Sequence, residues 1–150
     1  MAHTYACCHY HVVFSTRERR GQIVPQFCER LHEYMAAIAR RNGAEALRVG
    51  GARDHVHLLL AVPPRLSVSQ VVQLVKGGSS RFVHETFPRA ATFAWQEGYG
   101  VFTVSASQVD SAIAYIERQE EHHRSSTFED EFRALLKKHG IAWDERYVWG

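Results

Sequence analysis

Residues 54–60 read Asp-His-Val-His-Leu-Leu-Leu, and no other stretch constrains the fold more. In a β-strand, residues i and i+2 point to the same face. His55 and His57 then project side by side, while Val56, Leu58 and Leu60 face the opposite way into an apolar layer. Two adjacent neutral imidazoles are the beginning of a divalent-metal site. The plainer alternative is a pair of half-buried strand histidines that bind nothing, and the pair alone leaves both open.

The elements around this strand follow from pattern and punctuation. Residues 5–16 are rich in β-branched and aromatic side chains and read as a first strand, followed by a basic turn at 17–21. Pro25 opens a helix with Phe27, Leu31, Tyr34, Met35 and Ile38 on one face, and Asn42-Gly43 ends it. Residues 45–49 and 54–62 form two strands joined by a tight Gly50-Gly51 turn, and Pro63-Pro64 stops the second. Val68, Val71, Val72 and Val75 mark a second helix, predicted to kink at Gly77-Gly78 and to continue through 82–87. Residues 92–105 read as a strand bulged at 98–100. Ser107 and Asp110 signal the start of a helix to about residue 123, and Thr127 and Asp130 that of a last helix through Lys138, stopped at Gly140. The aromatic tail at 143–149 is expected to pack on the body or on a partner subunit.

The order β-α-β-β-α-β predicts an α+β fold of ferredoxin-like type. It comprises an antiparallel four-stranded sheet with two helices on one face, to which a tyrosine-bearing helix and a C-terminal helix are added. The other sheet face needs a cover, which a further helix, a second subunit or a ligand can supply. One domain is expected over residues 1–150, its core at about 5–123 and a C-terminal helix and tail at 124–150.

Charge is unevenly spread. Residues 1–91 hold 12 Lys/Arg against 6 Asp/Glu, and residues 92–150 hold 6 against 10. The first part can offer a basic face to a polyanion, or simply carry solvated charge. Arg17, Arg19 and Arg20 on the first turn, and Lys76, Ser79, Ser80 and Arg81 around the glycine pair, are the candidates for contact with the phosphates of a polyanion. No apolar run approaches membrane-spanning length and no export signal opens the chain, so a cytoplasmic protein without membrane attachment is expected. Cys7, Cys8 and Cys28 lack zinc-site spacing and are expected to be buried, reduced thiols.

On the helix predicted at 107–123, Val109, Ile113 and Ile116 define the apolar stripe. Tyr115 lies off that stripe, with Gln119 one turn further along on the tyrosine's face. Two imidazoles and an amide oxygen make three neutral ligands, suited to Mg²⁺ or Mn²⁺ when phosphate oxygens and water complete the shell. A tyrosine hydroxyl beside such an ion can act as a nucleophile towards phosphorus. No Walker-type loop is present and no nucleotide cofactor is expected.

With His55-Val56-His57 and Tyr115-Ile-Glu-Arg-Gln119, the chain resembles the HUH single-tyrosine transposases of bacterial and archaeal insertion sequences (the IS200/IS605 group). Residues 10–17, 75–81 and 95–104 also resemble that family, so the likeness spans nearly the whole chain. The resemblance implies that Tyr115 is the nucleophile and that His55, His57 and Gln119 hold the metal. It implies cleavage and rejoining of single-stranded DNA through a 5′-phosphotyrosine, recognition of DNA hairpins at the element ends, and a homodimer in which the tyrosine helix sits in cis or in trans. A domesticated hairpin-binding protein and an HUH replication nickase are the alternatives. His9-Tyr10-His11 is a second His-x-His, in which His11 is read as structural or as a support behind the metal ligands. His122-His123 is read as favourable charge at a helix C-terminus, with an approach of His122 to the site left open.

Overall fold

A computed structural model describes residues 3–150; the Met1-Ala2 start, part of the reading of the N-terminus, lies outside the described residues. The elements run β1 (His9–Ser15), α1 (Pro25–Arg41), β2 (Glu45–Gly51), β3 (His55–Ala61), α2 (Val68–Thr86), β4 (Gly100–Val104), α3 (Val109–Glu117), α4 (Gln119–His122) and α5 (Phe128–Lys138). The strands form one sheet in the order β2-β3-β1-β4, every neighbouring pair antiparallel. This is the expected ferredoxin-like arrangement.

The two faces of the sheet differ in chemistry because the side chains alternate. Val12 and Phe14 of β1 join Val56, Leu58 and Leu60 of β3 beneath α1 and α2, in the main core. On the opposite face, Val13 pairs with His57, Ser15 with His55, and His11 with Phe102. This second face is covered by the chain itself. Helix α3 packs over β2, and α5 sets Phe128, Phe132 and Leu136 against Val13 and Phe102. The paired histidines lie in the seam between α3 and α5.

Several local expectations are corrected. Gly50 and Gly51 are strand residues opposite His57 and Val56, and the turn falls at 52–54. Gly50 is required for packing, since a Cβ there would lie 2.6 Å from the Ile116 carbonyl oxygen. Helix α2 is unbroken through Gly77-Gly78, and Gly78 serves close helix contact: a Cβ would meet Ile38 Cδ1 at 2.7 Å. The α2 start is fixed by a Ser67–Gln70 capping box that the sequence reading misses.

The first strand begins at His9 rather than Tyr5. Cys7 is exposed and Cys8 and Cys28 are half-buried, and all three are free, so the burial expected for them does not occur. The last strand is confined to Gly100–Val104; upstream, a single Thr16–Trp95 bridge remains. Residues 92–99 instead deliver Phe93 and Trp95 to the core and turn three carbonyls towards Lys76. The helix expected over 107–123 is divided. A 3₁₀ turn at Ala106–Gln108 precedes α3, so Ser107 does not cap it, and the helix is interrupted at Arg118. Thr127 does cap α5, accepting from the Asp130 amide at 3.1 Å. The tail folds back on the body, with Trp149 against Phe128 and Phe132 beneath the Arg19 and Arg133 guanidinium groups.

Candidate active site

β3 is the central support. His55 and His57 are fully buried, and both Nε2 atoms point into the seam between α3 and α5. The Nδ1 side of each ring is held from behind. His55 Nδ1 donates to Asp54 Oδ1 at 2.8 Å, and His57 Nδ1 lies 2.7 Å from His11 Nε2. His11 therefore stands behind a candidate ligand. Burial, with His57 beside it, pushes the His11 imidazole down to about 3, so it is neutral at ordinary pH.

From the other side, α3 brings Tyr115 and α4 begins with Gln119. The break at Arg118 does not separate them. Gln119 Oε1 lies 2.9 Å from His55 Nε2, and Gln119 Nε2 donates to Glu131 Oε2 at 3.0 Å. With Nδ1–H donating to Asp54, the His55 tautomer that carries its proton there turns an Nε2 lone pair towards the Gln119 amide oxygen. Two acceptors facing each other in this way suit a proton or a cation between them. All four residues expected from the sequence, His55, His57, Tyr115 and Gln119, meet within one chain.

The residue at the centre is one that the sequence reading misses. Glu131 of α5 is only 4% exposed, yet its carboxylate accepts from Tyr115, Gln119, His57 at 2.9 Å and His123 at 3.1 Å. Burial alone would raise its pKa, but the His123 and His57 hydrogen bonds outweigh burial and hold it well below the usual carboxylate range. Burial, reinforced by the Glu131 charge, pushes the Tyr115 hydroxyl above its ordinary value. Burial likewise lowers His57, whereas at His123 the Glu131 hydrogen bond overcomes burial and raises the imidazole. Ligand atoms of His55, His57, His123 and Glu131 all lie within 4.8 Å of one another, and this group can hold a metal ion. His123, expected as a helix-end charge, faces the site instead, while His122 stays at the rim, 3.5 Å from Glu131. One signal is available for Glu131: it sits between Phe128 and Phe132 on the apolar face of its helix, where a carboxylate needs partners.

The basic candidates do not converge as a set. Lys76 is turned inward, donating to the carbonyls of Gln96, Glu97 and Gly98 at 2.6, 2.9 and 2.8 Å. Ser79 is buried and accepts from the Trp95 indole at 2.9 Å. Ser80 is half-buried and Arg81 is exposed. On the first turn, Arg17 is exposed, Arg20 pairs with Glu18, and Arg19 pairs with Glu129 while stacking over the Trp149 ring. That turn borders a groove reaching the site through Arg53, Asp54 and His123. Tyr115 also lines an open cleft with Arg118, His122 and Ser125. Among the described residues, no helix is long and apolar enough to cross a membrane.

A ferredoxin-like sheet bearing a His-x-His strand opposite a tyrosine helix is the architecture of the class that the sequence motifs indicate. Comparison with known proteins agrees. Residues 4–119 match the family described as IS200-like transposases. The chain is 29% identical over 115 residues to the ISDra2 transposase TnpA of Deinococcus radiodurans, covering 73% of this chain and 82% of that one. It is 32% identical over 110 residues to the transposase for insertion sequence element IS200 of Salmonella typhimurium, covering 69% and 72%. A crystal structure assigned as a transposase of Deinococcus radiodurans superposes with a TM-score of 0.63 at 29% identity, over 79% of this chain and 96% of that one. A REP-associated tyrosine transposase, solved bound to a REP hairpin, shares the fold with a TM-score of 0.61 at 14% identity, over 82% and 73%. The chain belongs to the IS200-like transposase family.

Proposed function

We propose that this transposase cleaves and rejoins single-stranded DNA, with Tyr115 as nucleophile and a divalent ion, Mg²⁺ or Mn²⁺, held by His55, His57 and Gln119. The observation that carries the reading is the convergence of the Tyr115 hydroxyl, both Nε2 atoms and the Gln119 amide oxygen on one buried point. The Tyr115 oxygen gives up its proton to solvent and attacks a backbone phosphorus, the bond to the 3′ oxygen breaks, and that oxygen takes up a proton and leaves as a hydroxyl. The phosphotyrosine keeps the ester energy, so a different 3′ hydroxyl can reverse the step and join new ends. An ion at the histidines would draw charge from the phosphate oxygens and offset the Glu131 charge that restrains tyrosine ionisation. Arg118 lines the open cleft with Tyr115 and is a cation available to an incoming phosphate.

The substrate reading is single-stranded DNA with hairpins at the ends of the element, and the hairpin complex of the REP-associated relative supports it. One chain assembles the whole constellation, which supports a tyrosine acting in cis. Dimerisation, which the family resemblance implies, then brings together two complete sites. The test is cleavage of single-stranded DNA carrying the flanks of the chain's own gene. Tyr115→Phe is expected to abolish cleavage and spare hairpin binding, and His57→Ala to remove metal-supported cleavage. Wild-type turnover by either variant contradicts the assignment.

A further inference from the structure

We infer that His123 and Glu131, both beyond the tyrosine helix, complete the metal site as ligands and make it selective for first-row transition ions over Mg²⁺. The inference rests on the reading that a divalent ion binds at His55 and His57, and it adds two ligands and a metal class to that reading.

Three observations carry it. First, the ligand atoms of all four residues lie within 4.8 Å of one another, and His55 Nε2 stands 3.5 Å from Glu131 Oε1. Donor atoms around an ion with bonds of about 2.0–2.2 Å are spaced about 3–4.5 Å apart. Second, each imidazole is held at Nδ1 by a group able to accept a proton, leaving Nε2 to face the centre. The partners are Asp54 Oδ1 for His55 at 2.8 Å, His11 Nε2 for His57 at 2.7 Å, and the Ser126 carbonyl for His123 at 2.7 Å. Such backing fixes the tautomer of metal-binding histidines and raises their basicity. A pair of histidines that merely packed would not call for the same arrangement on a third ring from a different element. Third, Glu131 is buried among donors with no solvated alternative, so a cation replacing their protons would keep its charge compensated.

The donor set then decides the metal. Three imidazoles, one carboxylate and the Gln119 amide oxygen form a nitrogen-rich site. Mg²⁺ prefers oxygen ligands and retains its waters, whereas imidazole favours later first-row ions. The ligands come from β3, the end of α4 and the first turn of α5, so metal binding also ties the C-terminal helix to the sheet.

The experiment is titration of the full-length, metal-stripped protein with Co²⁺, read by its visible absorption and by calorimetry, then repeated with Mg²⁺. The expected result is one Co²⁺ per chain, bound at least about 10–100-fold more tightly than Mg²⁺. His57→Ala abolishes it, and His123→Gln and Glu131→Gln each weaken it by about 10–100-fold or more. Glu131→Gln preserves side-chain size, and a metal-free thermal melt shows whether it folds. If it does not, His123→Gln provides the same test from the end of a short helix. Loss of Co²⁺ in His57→Ala with wild-type binding in the other two overturns the inference and leaves the two-histidine site standing. Equal affinity for Mg²⁺ and Co²⁺ overturns the selectivity. No Co²⁺ or Mg²⁺ binding by the wild-type protein overturns the metal reading and this inference with it.

Discussion

Replacing Gly50 by alanine tests how the fold positions Tyr115, the proposed nucleophile. Gly50 lies opposite His57 in the sheet, on the face covered by α3. An added Cβ would sit 2.6 Å from the Ile116 carbonyl oxygen and 2.8 Å from Ile116 Cγ2. Ordinary contact requires α3 to retreat by about 0.5–1 Å. Ile116 directly follows Tyr115, so the hydroxyl moves with it. Overpacking of this kind costs about 1–3 kcal/mol, and a nucleophile misplaced by about 1 Å loses about 10²-fold in rate. Gly77→Ala supplies the control: nothing lies within 4 Å of its added Cβ, and the residue is exposed within α2. Alanine there stabilises the helix by about 0.5–1 kcal/mol and leaves cleavage unchanged. The assay is urea unfolding of both variants together with single-turnover cleavage of hairpin-bearing single-stranded DNA. Gly50→Ala with wild-type stability and rate would refute the claim that α3 docks on that glycine to place Tyr115.

Three further perturbations address particular contacts. On the proposed cis arrangement, mixing Tyr115→Phe with His57→Ala subunits yields no cleavage; recovered activity would place the tyrosine helix in trans. Lys76→Met removes three charged hydrogen bonds and lowers stability by about 2–3 kcal/mol without weakening hairpin binding. Weakened binding at unchanged stability would restore Lys76 as a DNA contact. Burial pushes His32 down to about 4 from 6.5, so between those values the unfolded chain binds more protons than the folded one. Stability therefore falls as pH drops from about 6.5 towards 4. Urea unfolding at pH 7 and 5 should show the fall, and His32→Asn should reduce it; an unchanged fall in the variant would mean that His32 titrates normally.

What is legible in the sequence is local. Alternation in residues 54–60 places two imidazoles on one face because the strand period is set by neighbouring residues. The element order yields the antiparallel sheet, and the Tyr115–Gln119 spacing yields two groups that still converge despite the break at Arg118. The rest depends on partners distant in sequence. Glu131 meets His57 across 74 residues, and nothing near 131 announces that contact except a carboxylate on an aromatic helix face. Lys76 reads as a phosphate ligand because its acceptors are backbone carbonyls, which side-chain patterns do not reveal. Gly50-Gly51 and Gly77-Gly78 read as a turn and a kink. Gly50 and Gly78 instead allow close approach by Ile116 and Ile38, and such contacts exist only once the helices have docked.

Tyrosine chemistry on single-stranded DNA is tested most sharply by trapping the covalent intermediate. The protein is incubated with 3′-labelled single-stranded DNA spanning both flanks of its own gene, with Mn²⁺ or Mg²⁺, and the denaturant-resistant adduct is digested and mapped by mass. The expected product is a 5′-phosphate ester on Tyr115 that is absent with a chelator and in Tyr115→Phe. An adduct on another residue, or hairpin binding with no adduct under any divalent metal, would contradict the proposed chemistry.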